Sequence, residues 1–133
     1  MALTELAHER FYTISHDTDE GWLYVNWTGY QTVDSVKQGC NTMLDLMVAH
    51  QALRILNDNT NVLGIWSGAS EWAGTNWFPR MKQAGMQRFA WVYSPSRFSQ
   101  ISTDATMNLV DAEATGIAVF YNIDDAKQWL RAG

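Results

Sequence analysis

Aromatic and β-branched residues alternate with polar ones in FYTIS, residues 11–15, and in WLYVNW, residues 22–27. A period of two in side chains of these types predicts strands, and HDTDEG between them predicts a hairpin turn. After Thr32 the period changes. Val33, Val36, Cys40, Met43, Leu44 and Met47 recur at steps of three and four, which predicts an amphipathic helix with Thr32 as its cap. LRIL (53–56), FAWVY (89–93) and IAVFY (117–121) are nearly continuous apolar runs, the pattern of strands covered on both faces. The polar NDNTN after LRIL reads as the turn that closes that strand, with Asn57, Asp58, Asn59 and Asn61 bonding to the turn backbone.

Residues 69–85 also carry a helical pattern. At about 100° per residue, Ala73, Gly74, Trp77, Phe78, Met81 and Ala84 share a face. Trp72 falls on the opposite side with Asn76 and Gln83, where it either folds back onto a neighbouring loop or serves a partner or ligand. Pro79 cannot bond the carbonyl of Thr75, and Gly74 eases bending, so a kink is expected near residues 75–79. Ser94 and Pro95 open a third helix with Phe98, Ile101, Ala105 and Leu109 on its core face. Asn122 caps a last one, IDDAKQWL, with Asp124 and Asp125 in the first turn and Trp129 and Leu130 toward the sheet. The order β-β-α-β-α-β-α-β-α implies an α/β fold: a mixed, mostly parallel five-stranded sheet covered by about four helices, as one domain over residues 1–133.

Composition narrows the partners. In 133 residues, 47% are hydrophobic and 17% charged, the balance of an ordered globular chain. A net charge of −5 provides no field to concentrate a phosphate backbone, so nucleic acid is not an expected partner. The single cysteine, Cys40, excludes an intramolecular disulfide framework and suits a reducing compartment. MALTELAHER has no basic and apolar leader pattern, and no apolar run reaches membrane-spanning length. The expected location is the cytoplasm.

No motif in the chain names a reaction. His8, His16 and His50 lack metal-ligand spacing, and neither Cys-x-x-Cys nor His-Glu-x-x-His occurs. Asp17, Asp19 and Glu20 before Gly21 do not fall in calcium-loop register, and Val62 occupies the glycine position such a loop would need after Asn57. GIWSG lacks the glycine two residues before Ser67 that a nucleophile elbow requires, and Cys40 belongs to an apolar stripe. No cofactor and no catalytic activity are expected. The turn Trp66, Ser67, Gly68, Ala69, Ser70 leads into the second helix, where Ser67 is either its cap or a holder of an anion or phosphate. Asp58, at the carboxyl end of a strand, is placed on the same rim as that turn.

The chain resembles the small bacterial STAS-like proteins related to anti-sigma-factor antagonists. The resemblance spans most of its length and is carried by Leu56-Asn57-Asp58, by Trp72, Trp77 and Pro79, by Phe89-Ala90 with Ser94-Pro95, and by Asp124, Ala126 and Trp129. It implies a mixed sheet wrapped by helices and a protein-binding switch phosphorylated on a serine at the start of the second helix. Ser67 matches that location, Ser70 less well, and Trp66 stands where the family pattern has an aspartate. Related wrapped sheets bind lipids or other apolar ligands. Two functions follow as expectations. The first is a non-catalytic regulatory module that binds a protein partner, or a second copy of itself, through the second helix and the turn before it, with Trp72 as anchor. The alternative is a carrier or sensor of a small apolar or amphiphilic ligand held among Trp66, Trp72 and Tyr93, its polar end near Ser67 and Asp58.

Overall fold

The computed structural model describes residues 2–133. Leu3–Glu9 (β1), Tyr12–Asp17 (β2) and Trp22–Tyr30 (β3) form an antiparallel meander. Thr32 then caps Val33–His50 (α1): its side chain accepts from the Ser35 N–H at 3.0 Å, and the Ser35 hydroxyl oxygen accepts from the Thr32 N–H at 2.8 Å. Arg54–Leu63 (β4), Arg88–Val92 (β5) and Ile117–Phe120 (β6) extend the sheet in parallel. Between them run a helical segment over residues 67–83 (α2), Arg97–Met107 (α3) with the short Ala112–Thr115 (α4), and finally Ile123–Arg131 (α5).

The α/β class and the mixed sheet agree with the sequence pattern, but among the described residues the sheet has six strands in the order β1-β2-β3-β4-β5-β6, not five, and five helices accompany it. The added strand is β1. Its side chains are exposed or half-buried, and it is an edge strand held by its ladder to β2, so it carries little hydrophobic signal. The polar run NDNTN is not a turn either. It continues β4, because tertiary partners satisfy its side chains: the Trp27 indole N–H donates to Asn57 Oδ1 at 2.8 Å, and the Tyr24 hydroxyl donates to Asp58 Oδ2 at 2.8 Å.

Alternation along β4 and β5 separates two cores. Ile55, Phe89 and Trp91 join Met43 and Met47 of α1 and Trp77, Phe78 and Met81 of α2 on one side of the sheet. Leu56, Ala90 and Val92 join Trp22 and, from α5, Ala126 and Leu130 on the other. Asn122 caps α5 as the sequence predicts, its Oδ1 accepting from the Asp125 N–H at 2.9 Å. At the far end of α5, Arg54 and Arg88 donate to the Leu130 and Trp129 carbonyls at 3.0 and 2.6 Å. No helix among the described residues is long and apolar enough to cross a membrane.

The predicted kink in α2 takes a definite form. Ser67–Ala69 is a 3₁₀ turn, Ser70–Trp72 an α turn, Ala73–Trp77 a π turn, and Phe78–Gln83 α again. Pro79 has no N–H for the Thr75 carbonyl, and the wider turn just before it replaces the broken register with a Phe78 N–H to Ala73 carbonyl bond. The helix stays continuous. The shift in phase brings Trp72 to a half-buried position against the main core.

Gly39 on α1 lies under the Trp27 ring, where an added Cβ would sit 2.3 Å from a ring carbon. That ring is pinned by its bond to Asn57. Gly39→Ala is therefore expected to lower stability by about 2 kcal/mol, read from urea midpoints. Burial foremost, then the bond to Asp58 and its charge, push the Tyr24 phenol well above its ordinary value of 10.0. A phenol raised on folding supports stability below that ordinary value, and the support is lost as pH climbs through the folded value. Tyr24→Phe is expected to shallow the fall in urea midpoint between pH 8.5 and 11 without abolishing it, because Cys40 and Tyr93 are raised as well. An unchanged slope would remove Tyr24 from the alkaline transition.

Candidate functional site

Trp66 is the centre of the turn between β4 and α2. Only 8% exposed, it stacks on Trp91 with ring centroids 5.9 Å apart. Two serines of α3 bond to it directly. Its backbone N–H donates to Ser102 Oγ at 2.8 Å and its indole N–H to Ser99 Oγ at 3.2 Å. The Ser67 hydroxyl meets Ser102 Oγ at 3.2 Å, and the Ser70 hydroxyl donates to the Ser102 carbonyl at 3.0 Å. Trp66, Ser67 and Ser70 thus form one seam that ties the start of α2 to α3.

The α3 side of that seam departs from the sequence reading. Ser99, Ser102, Thr103 and Thr106, at helical spacing of three and four, are fully buried, whereas Phe98, Ile101 and Leu109 are 63%, 52% and 47% exposed. The apolar stripe expected to meet the core faces outward. Close packing gives the reason: a Cβ at Gly74 of α2 would lie 2.8 Å from Leu109 Cβ and 3.2 Å from the Thr106 carbonyl oxygen. Small hydroxyl side chains let the helices approach, and Thr106 bonds within its own helix, its Oγ1 donating to the Ser102 carbonyl at 3.0 Å. Ser94 likewise does not cap α3. It is buried, donates to the Val62 carbonyl at 2.6 Å and leaves Ser96 as the capping position.

The remaining predicted residues are dispersed. Trp72 lies over α1, with the Lys37 ammonium 5.6 Å from its ring centroid. Tyr93 donates to Asp104 of α3 and packs on Tyr121, ring centroids 5.0 Å apart. Burial first, then the bond and charge of Asp104, hold its phenol well above the ordinary range. Asp58 occupies the other face of the sheet, buried beside Tyr24 and accepting also from the Thr60 N–H at 2.9 Å. Side chains alternate along β4, so Asn57 and Asn59 reach the face of Trp66 and Asp58 does not. A pocket built jointly by Trp66, Trp72, Tyr93 and Asp58 does not form.

A narrow cavity does lie beside Trp66. Its walls include Trp27, Trp66, Trp77 and Trp91 with Asn57 and Asn59. Trp77 is satisfied, its indole donating to the Cys40 carbonyl at 2.8 Å. The Trp91 indole N–H, in a side chain only 4% exposed, has no acceptor among the described residues. Burial pushes the neighbouring Cys40 thiol far above its ordinary range, which keeps it neutral. FAWVY reads as an apolar strand and NDNTN as a turn, which hides Trp91 and the asparagines of β4 as cavity walls.

An apolar rim follows the carboxyl ends of the parallel strands. Tyr30 closes β3, Leu63 closes β4, Ile65 precedes Trp66, and all three are exposed, as are Phe98 and Tyr121 after β5 and β6. Among the described residues, no three His, Cys, Asp or Glu side chains gather at metal-binding distance.

Ser102→Ala leaves the buried Trp66 N–H without its acceptor. A loss of about 1–3 kcal/mol is expected in urea unfolding, with a changed near-ultraviolet tryptophan signal from the Trp66 and Trp91 stack; wild-type stability would show that the seam is dispensable. No protein-family model, curated protein or solved structure matches this chain significantly.

Proposed function

We propose that this chain is a non-catalytic regulatory module that docks a protein partner through the outward face of α3 and the adjoining start of α2. The observation that carries this reading is the reversed helix: α3 turns its hydroxyls inward and leaves Phe98 and Ile101 in water, with Ile65 also exposed one residue before Trp66. Exposed apolar side chains grouped on one surface mark interaction sites. The rim at the carboxyl ends of the parallel strands adds Tyr30, Leu63 and Tyr121 to the apolar surface. A chain of net charge −5 favours protein over nucleic acid as the partner, and the lone buried Cys40 suits a cytoplasmic setting.

The resemblance to STAS-like partner-binding proteins points the same way and supplies a mode of control. Ser67 is half-buried with its hydroxyl against Ser102. A phosphate there would bring charge into the seam and part the start of α2 from α3, altering the docking face. Trp72 then acts beside the surface as a plug between α1 and α2 rather than as its anchor.

A photo-crosslinking residue at Phe98 or Ile101, placed in the protein inside its own cells, is expected to give an adduct of one defined mass. The same residue at Gln38 or Asp45, exposed on α1, should give none. Twice the chain mass would identify the partner as a second copy. No adduct, or equal adducts from α1, would remove α3 as the docking face. Phe98→Asp with Ile101→Asp is expected to weaken the captured complex by about 2 kcal/mol or more while the urea midpoint stays near wild type.

A further inference from the structure

The four wall residues Trp27, Asn57, Asn59 and Trp91 contain a chain of donors with one open end. An indole nitrogen only donates, so the Trp27 N–H fixes Asn57 Oδ1 as its acceptor at 2.8 Å. The Asn57 amide nitrogen must then donate, and it does so to Asn59 Oδ1 at 3.3 Å. This assigns both amides and puts the Asn59 Nδ2 donor at the end of the chain, on the cavity wall. Trp91, paired with Asn57 in the register of β4 and β5 and only 4% exposed, supplies the buried donor that has no acceptor among the described residues. Both residues line the same cavity.

Nearly all other polar groups around the cavity are already paired. Gln31 donates to the Phe11 and Thr28 carbonyls and accepts from Ser35, and the Trp66 and Trp77 indoles are both bonded. The wall therefore presents the open Trp91 donor beside the Asn59 amide, in an aromatic surround with no charged residue. A buried donor left open costs free energy that an acceptor would recover. An ionised acceptor would enter without a counter-charge, at a large desolvation penalty.

We infer that the cavity between β4, β5, α1 and α2 binds a small neutral molecule with a hydrogen-bond acceptor on an apolar body, a carbonyl compound by class. The acceptor oxygen takes the Trp91 and Asn59 N–H groups, and the hydrocarbon part lies against Trp66, Trp77 and Phe78. The narrow space limits the ligand to a short chain or small ring. This site is separate from the α3 docking face and stands or falls independently of it.

The test is nuclear magnetic resonance of the indole N–H signals in the whole ¹⁵N-labelled chain, titrated with cyclopentanone and with methylenecyclopentane. The two probes share a shape, and only the ketone has an oxygen acceptor. Cyclopentanone is expected to shift the Trp91 signal, identified by its absence in Trp91→Phe, and to bind about tenfold more tightly than the hydrocarbon. In Trp91→Phe the preference should shrink toward parity. Should that variant fold poorly, Asn59→Ala is expected to reduce the preference, and Val62→Ile, which narrows the cavity, should weaken both probes. Equal binding of the two probes in the wild type would overturn recognition of an acceptor. No shift from either probe at tens of millimolar would overturn the site, leaving a cavity filled by water alone.

Discussion

The bond from the Trp27 indole to Asn57 Oδ1 governs how the interior of this protein is arranged. A tryptophan placed in a core must find an acceptor, and here β4 provides one from within its own strand. That requirement keeps a run of polar residues in the sheet that would otherwise leave it as a turn. It also fixes the ring against α1 so closely that only glycine fits at position 39. The same bond sets the orientation of two asparagine amides and so places the Asn59 amide donor on the cavity wall that Trp91 shares.

Close approach of helices has a similar reach on the opposite flank. With Gly74 on α2 and the Ser/Thr stripe on α3, the two helices pack through their smallest side chains. The consequence is external. Packing the hydroxyls inward commits Phe98 and Ile101 to the surface, where they form the face on which the proposed partner contact is built. Ser67, Ser70, Ser99 and Ser102 link that face to Trp66, so the apolar exterior and the tryptophan cavity share one set of hydrogen bonds. A change at Ser67 would be felt on both sides of it.

Proline in α2 has a local effect with a wide result. The π turn over Ala73–Trp77 absorbs the missing N–H of Pro79 without breaking the helix. Consecutive Trp77 and Phe78 both reach the core, their rings 4.7 Å apart and each packed on Phe89. Both also line the cavity.

Local patterning was sufficient wherever a segment's own residues satisfy it. The period of α1 with its Thr32 cap, the Asn122 cap of α5, and the apolar runs of β5 and β6 are readable because cap and stripe lie within a few residues of each other. The α/β class follows from their alternation. Three features depended on groups distant in sequence: β1, held as an edge strand by its ladder to β2; the continuation of β4 through NDNTN, held by Trp27 and Tyr24; and the facing of α3. Along α3 two stripes at helical spacing compete, Phe98, Ile101, Ala105, Leu109 and Ser99, Ser102, Thr103, Thr106. Periodicity reveals both but cannot choose between them, since the choice rests on how near α2 must come. Of the predicted site, Trp66, Ser67 and Ser70 come together because they are neighbours in the chain, whereas Asp58 is carried to the other face by the alternation of β4 and Tyr93 is drawn to Asp104.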